Sequence, residues 1–313
     1  MKVYILHECP NWSARNHGEA IAKYAPGDWD VTNDWWTGHH QEWQYDDADV
    51  IINLGSNSHE SLYELCCTHT PDAVLLSRYN TCYPRYSDKL DMLCEHSDGV
   101  IVESRNCFQR IPGNLRGKIH LLPSGVDRNA FCITTPPHQR PSKVLWCAGI
   151  IGQSPERGDV KRYRFAQELA ARLKSIGLEM ELLTVDPNGE SVRSPEQMRD
   201  WYNTGRIFAC TSKMEGLPNT CLEAAACGCL IVTTNVGVMP EFIQQGRNGH
   251  IVPPTLDAFV HAITHANKDY LASQLDVRHL IAEWDWVKLA GNYYQLVDEM
   301  LCVRQCNEEE GVS

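Results

Sequence analysis

Across its 313 residues the chain has no apolar run long enough to span a bilayer as a helix. Its opening, Met1 to His7, turns polar too early for a signal peptide, so the sequence implies a cytoplasmic protein with no membrane anchor. Paired C-x-x-C spacings are missing despite fourteen cysteines: Cys66 and Cys67 are adjacent, Cys227 and Cys229 flank a glycine, and the rest are scattered. That excludes a zinc ribbon and a dithiol redox motif, and leaves small buried hydrophobes in a reducing compartment. His39-His40 lies in a Trp-rich polar stretch without nearby acceptor partners at ligand spacing and reads as a surface loop, so no metal site is expected. Basic residues are scarce at the start, where residues 1–60 hold three Lys/Arg against ten Asp/Glu in a chain of net charge −12. Such a lobe repels phosphate-rich polymers and anionic lipid surfaces. Short-period repeats and low-complexity segments are also absent, which excludes a solenoid.

What remains is a globular composition, 43% hydrophobic, at a length that suits two domains. Short apolar runs at residues 2–6, 50–52, 73–76, 99–102 and 119–122 alternate with helical stretches such as 87–96. This order predicts a parallel sheet. Residues 132–142, CITTPPHQRPS, carry three prolines and read as a linker. A second series follows, with strands at 144–148, 180–185 and 207–210 and helices near 161–176 and 195–203. A last helical stretch, about 277–302 with a break near Trp284, is followed by a frayed acidic end. The division expected is residues 1–135, residues 136–276, and a terminal helix over 277–313 that crosses back to the first domain.

Residues 211–253, TSKMEGLPNTCLEAAACGCLIVTTNVGVMPEFIQQGRNGHIVP, are the most informative part of the chain. Gly216 permits a tight turn after the strand, and Pro218 suits a first helical position because its missing N–H costs nothing there. The N–H groups of Leu217, Asn219 and Thr220 at a helix start form an anion site that suits a diphosphate without a metal cage. Glu223, about one turn further in, is placed to accept two vicinal ribose hydroxyls, and Glu215 lies in the loop before the helix. Each glutamate alone also fits an ordinary solvated position.

Taken together, the stretch resembles the donor-site signature of glycosyltransferase family 4. The match runs through Ser212, Glu215-Gly216, Pro218, Glu223-Ala224 with small residues to Gly228, then Val232, Gly237, Pro240-Glu241 and Asn248-Gly249. Residues 120–131, HLLPSGVDRNAF, resemble the family's strand and turn closing the first domain, with Ser124 in place of the usual asparagine. Trp284-Asp285-Trp286 resembles its aromatic lead into the terminal helix. The first hundred residues match poorly.

The resemblance implies an α/β protein of the GT-B fold: two Rossmann-like parallel-sheet domains facing across a cleft, donor on the second and acceptor on the first. It further implies a retaining transfer from a nucleoside-diphosphate sugar, a UDP-sugar foremost, by front-face displacement, with Glu215 holding sugar hydroxyls rather than attacking. The nucleotide sugar is a substrate, and no cofactor is expected. In the family an Arg and a Lys after the first strand of the donor domain neutralise the leaving diphosphate. Here they correspond to Arg157 and Lys161, with Arg162 as substitute, inside a stretch (142–175) holding seven Lys/Arg against three Asp/Glu. The pattern Asp-x-Asp occurs only at Asp28-Trp29-Asp30 and Asp47-Ala48-Asp49, in the acidic start, so metal independence is expected.

On the acceptor side the family's first-domain histidine has no clear counterpart. His17, His59, Arg78 and Tyr79 are the candidates. The acceptor is a hydroxyl on a small molecule or polymer. A hydroxymethylated base in DNA is the runner-up, modified by a compact viral-type enzyme in a host's cytoplasm; residues 78–128, with eight Lys/Arg against six Asp/Glu, offer that reading some support. A catalytically silent sugar-nucleotide-binding protein, or a phosphorylase or epimerase on the same fold, is the alternative in another class. Nothing in the sequence fixes the oligomeric state.

Overall fold

In a computed structural model of the chain, residues 1–7, 13–36, 43–55, 59–79, 87–149, 160–185 and 193–309 are described. The chain divides into two units, Met1–Gly125 with Trp286–Ser313, and Val126–Asp285. Each is built on a wholly parallel sheet. Parallel strands covered on both faces need apolar side chains on both faces, which is why the short unbroken apolar runs are the strands.

In the first unit Lys2–His7 (β1), Asp30–Trp35 (β2), Val50–Asn53 (β3), Val74–Arg78 (β4), Gly99–Val102 (β5) and Ile119–Leu121 (β6) form a sheet of order β2-β1-β3-β4-β5-β6. Helices Ser13–Lys23 (α1), His59–His69 (α2), Ser87–His96 (α3) and Arg105–Arg110 (α4) connect them. Every residue of β3, β4 and β5 is buried. The edge strand β2, DVTNDW, is partly exposed along its length and has no apolar run to announce it.

In the second unit Lys143–Gly149 (β7), Glu179–Val185 (β8), Ile207–Cys210 (β9), Leu230–Thr233 (β10) and Gly249–Ile251 (β11) take the order β11-β10-β9-β7-β8. Its helices are Tyr163–Lys174 (α5), Pro195–Tyr202 (α6), Asn219–Ala226 (α7), Met239–Phe242 (α8) and Leu256–Ile281 (α9). Ser194 starts α6 with a full capping box to Gln197, and Pro195 occupies the first turn. Gly228, at φ 88°, ends α7 in the left-handed conformation. The chain leaves β7 for β8 on one side and returns to β9 on the other. Sheets of this kind bind ligands at the carboxyl ends of the two strands flanking such a reversal, here β7 and β9.

Three features differ from the sequence reading. Residues 132–142, expected to link the units, are fastened into the second: the Asn203 side-chain oxygen accepts from the N–H groups of Thr134 and Thr135 at 2.9 and 3.2 Å, and its amide donates to the Cys132 carbonyl at 2.9 Å. The unit boundary therefore falls before Val126, where the backbone N–H of Val126 donates to Trp284 at 2.8 Å. The helix expected from residue 277 begins at Leu256, capped by Thr255. A short 3-10 turn over Ala282–Trp284 then separates it from the terminal helix Trp286–Glu309 (α10). Trp286, Ala290, Tyr293, Tyr294 and Val297 of α10 pack into the first unit's core with Val3, Ile5 and Ile52.

No helix among the described residues is long and apolar enough to cross a membrane.

Candidate functional site

β7 and β9 are hydrogen-bonded neighbours, so the segments that follow them emerge side by side. They are stitched together. The Lys213 N–H donates to the Val160 carbonyl at 2.7 Å, and the Thr211 hydroxyl donates to the Lys161 carbonyl at 2.9 Å while accepting from the Trp146 indole at 2.9 Å. This brings the Lys161 ammonium to 2.5 Å from Glu215 Oε1, which also accepts from the Ser212 hydroxyl at 2.6 Å. Both members of the ion pair are largely buried, with side chains 22% and 14% exposed, so solvent screens them little.

The turn after Glu215 approaches the loop after β10 closely. Gly237 lies at φ 50°, and a Cβ there would sit 2.3 Å from the Gly216 carbonyl and 3.0 Å from Pro218 Cδ. Glycine is required at this position by conformation and by space alike. Thr234 adds a hydroxyl bond to the Ser212 carbonyl at 2.5 Å. Leu217 is buried. Pro218 is the residue before the helix, and α7 opens at Asn219 with Thr220 in its first turn. The Asn219 N–H donates to the Leu217 carbonyl at 3.0 Å, so it is not available at the helix start as the sequence reading expected.

Glu223 lies one turn into α7, where Tyr202, the last residue of α6 and fully buried, donates its hydroxyl to Oε2 at 2.8 Å. Burial pushes the Glu223 carboxyl up and the Tyr202 bond opposes it, and the net is a rise from its ordinary 4.5 to about 7. Arg162 turns elsewhere. It adopts a left-handed conformation (φ 56°, ψ 48°), its guanidinium lies 4.3 Å from the Phe165 ring centre, and it donates to the Pro254 carbonyl at 3.2 Å. Arg157 lies outside the described residues.

Of the first-unit candidates, His17 and Arg78 meet in a buried cluster at the carboxyl end of β4 and β5. Arg78 Nη1 lies 2.7 Å from His17 Nδ1 and 3.5 Å from Glu103, and Nη2 donates to the Leu54 carbonyl at 3.0 Å. Glu103 Oε1 accepts from the Ser124 hydroxyl at 2.5 Å, and Ser124 Oγ lies 3.2 Å from the Tyr293 hydroxyl on α10. A guanidinium only donates, so it fixes the His17 lone pair on Nδ1 and the ring proton on Nε2. Tyr79 packs in a core with Leu90, Leu93 and Val100. His59 begins α2, with its side chain outside the described residues.

Sequence reasoning missed Glu103, Tyr202 and Trp146. Glu103 had a signal, being an acid directly after a buried parallel strand. Tyr202 had none, because its partnership with Glu223 depends on how α6 packs on α7. Among the described residues no group of acids, histidines and cysteines is arranged to hold a metal ion.

Comparison with known proteins places these features in a wider set. Residues 143–269 match the family described as glycosyl transferases group 1. Similar curated proteins include alpha-maltose-1-phosphate synthase of Mycobacterium tuberculosis, 30% identical over 35% of this chain and 25% of its own length. The lipopolysaccharide core biosynthesis mannosyltransferase LpsB of Rhizobium meliloti is 32% identical over 34% of this chain and 27% of its own. The chain thus spans about a quarter of the length of these curated relatives. In three dimensions, Anabaena HepE, solved with UDP and glucose, superposes at a TM-score of 0.69 with 14% identity over 96% of this chain and 100% of its own. A glycosyltransferase from Rickettsia africae gives a TM-score of 0.69 at 14% identity over 96% and 98%. The chain has the GT-B fold, and its residues 143–269 are those that match the glycosyl transferases group 1 family.

Proposed function

We propose that this protein is a retaining glycosyltransferase of family 4 that moves a sugar from a nucleoside-diphosphate sugar, UDP-linked, to an acceptor hydroxyl without a metal ion. The observation that carries this reading is the pairing of Lys161 with Glu215 beside the β7–β9 reversal, with Glu223 one turn into the adjoining helix, inside the stretch that matches the family. As the bond from the anomeric carbon to the diphosphate breaks, negative charge builds on the leaving oxygen. The Lys161 ammonium neutralises it, together with the Thr220 N–H at the start of α7. Glu223 receives the ribose hydroxyls and Glu215 holds Lys161 in place beside the sugar. The departing phosphate oxygen takes the acceptor's proton on the face it leaves, so the configuration at the anomeric carbon is kept. Free thiols at Cys66, Cys94, Cys107 and Cys221 suit a reducing cytoplasm.

Thermal unfolding in the presence of UDP-, GDP-, ADP- and TDP-sugars tests the donor assignment, since a ligand that binds only the folded state raises its apparent stability. A rise with a UDP-sugar that exceeds those with the others supports the reading. No rise with any nucleotide would remove it. Slow hydrolysis of the donor without acceptor separates an enzyme from a silent binder.

Lys161→Ala is expected to lower kcat about tenfold to a hundredfold while changing donor KM less, because the charge it meets is largest in the transition state. Wild-type turnover would detach Lys161 from the chemistry. Activity is expected to survive EDTA, and loss restored by magnesium or manganese would overturn metal independence. The acceptor proposed is neutral, since residues 1–60 hold three Lys/Arg against ten Asp/Glu. Transfer to hydroxymethylated DNA that falls steeply with salt would instead select the DNA reading.

A further inference from the structure

We propose that Tyr202 is a positioning residue of the ribose subsite, whose hydroxyl holds Oε2 of Glu223, fixes the carboxylate's rotamer and leaves Oε1 to receive the nucleotide. The inference rests on the donor reading above and adds to it the residue that presents the glutamate. Tyr202 itself cannot reach a ligand: it is fully buried, with ring neighbours Phe131 at 6.2 Å, Trp201 at 5.3 Å and Phe208 at 5.8 Å between centres. A ring clamped on three sides delivers its hydroxyl to one place, and that place is Glu223 Oε2 at 2.8 Å. The phenol is a poor acid there, since burial and the neighbouring Glu223 charge push it well above its ordinary value, so it acts as a donor throughout the physiological range.

The bond has a second consequence. Burial raises the Glu223 carboxyl and the Tyr202 bond lowers it, and the two together leave it near half ionisation at neutral pH, so that loss of the donor shifts the balance toward the neutral acid. The carboxylate accepts the ribose hydroxyls at Oε1 more strongly than the neutral acid does, so Tyr202 makes nucleotide affinity less sensitive to pH around neutrality. The other titratable groups facing this position are Cys147 at the end of β7 and Cys227 at the end of α7. Burial pushes the Cys147 thiol up to about 12 and the Cys227 thiol higher, so both stay neutral through the window. Lys161 and Arg193 act on the Cys147 side and are present in wild type and variant alike.

The test is UDP affinity against pH for wild type and Tyr202→Phe, by calorimetry. In Tyr202→Phe the midpoint is expected to move to higher pH, giving binding about five- to tenfold weaker near pH 7 and equal to wild type near pH 9. A loss of equal size at every pH marks a packing role only and overturns the proposal, as does no change at all. Placing 3-fluorotyrosine at position 202 strengthens the donor and should move the midpoint the other way, which keeps the question open to a decision if Tyr202→Phe does not fold. Infrared titration of the carboxyl stretch in the ligand-free protein, with Glu223→Gln to identify the band, follows the same midpoint without any nucleotide. If UDP binds neither protein the donor reading fails, while an unshifted Glu223 band in Tyr202→Phe refutes the positioning role by itself.

Discussion

Glu223→Gln is expected to raise the unfolding free energy of the ligand-free protein by about 2–3 kcal/mol above pH 7 while weakening UDP binding there by about 1.5–3 kcal/mol. The sign follows from linkage. Glu223 titrates at about 7 in the folded chain against an ordinary 4.5, so between those values the folded state holds a proton that the unfolded state has released. Stability from this group is fully present below about pH 4.5 and is lost as pH rises through about 7. The amide cannot ionise, still accepts from Tyr202, and escapes that loss. Wild type and variant should therefore converge in acid and diverge in base. Urea unfolding at pH values on both sides of the window, with calorimetric titration of UDP at about pH 8, measures both effects. A variant no more stable than wild type at pH 8 would show that the carboxylate is not penalised, and unchanged UDP affinity would remove Glu223 from the nucleotide site. Such opposition between stability and binding is common where a site holds a charge in place for its ligand.

The largest loss of stability is expected at a residue far from any proposed chemistry. Arg140→Ala should cost about 3–4 kcal/mol. Arg140 is 1% exposed, and among the described residues no carboxylate pairs with it. Its guanidinium instead donates to the Thr135 carbonyl at 3.0 Å, to Asn203 Oδ1 at 2.5 Å and to the Tyr270 hydroxyl at 3.4 Å. Its own carbonyl accepts from Arg206 at 2.9 Å. Truncation removes the donors that satisfy these oxygens and opens a cavity where residues 132–142 meet α6 and α9. Arg140→Met restores most of the volume without the donors, and should recover only part of the loss. Denaturant unfolding of the three proteins reads this directly. If Arg140→Ala unfolds at the wild-type midpoint, the segment is held by something other than this cluster.

Arg140 also shows where sequence reasoning stops. CITTPPHQRPS has the prolines and polarity of a linker, and local composition cannot tell a free segment from one fastened by a distant side chain. The partner, Asn203, lies more than sixty positions away in the chain. β2 escaped notice for a related reason: DVTNDW has no apolar run, and it is a strand because β1 offers it a row of backbone groups along Lys2 to His7. The first part of α9 was likewise not expected, its apolar residues Phe259, Ile263 and Ala266 being legible as a helix face once the second unit's core is there to receive them.

By itself the sequence determined the strands of both sheets that are apolar throughout, because two-sided burial needs no tertiary information to be written into four adjacent side chains. It also determined the loop and helix carrying Glu215 and Glu223, since Gly216, Pro218 and Gly228 state the turn, the approach to the helix start and the helix end locally, with Pro218 falling one residue before the helix rather than in its first position. Tertiary structure alone decided which groups these acids meet. Lys161 reaches Glu215 because β7 and β9 are neighbours, Tyr202 reaches Glu223 because α6 ends against α7, and Arg162, adjacent to Lys161 in sequence, turns to Phe165 and Pro254. Hydrogen bonds and charge pairs act over a few ångströms, and the residues joined here by hydrogen bonds are 21, 54 and 92 positions apart along the chain.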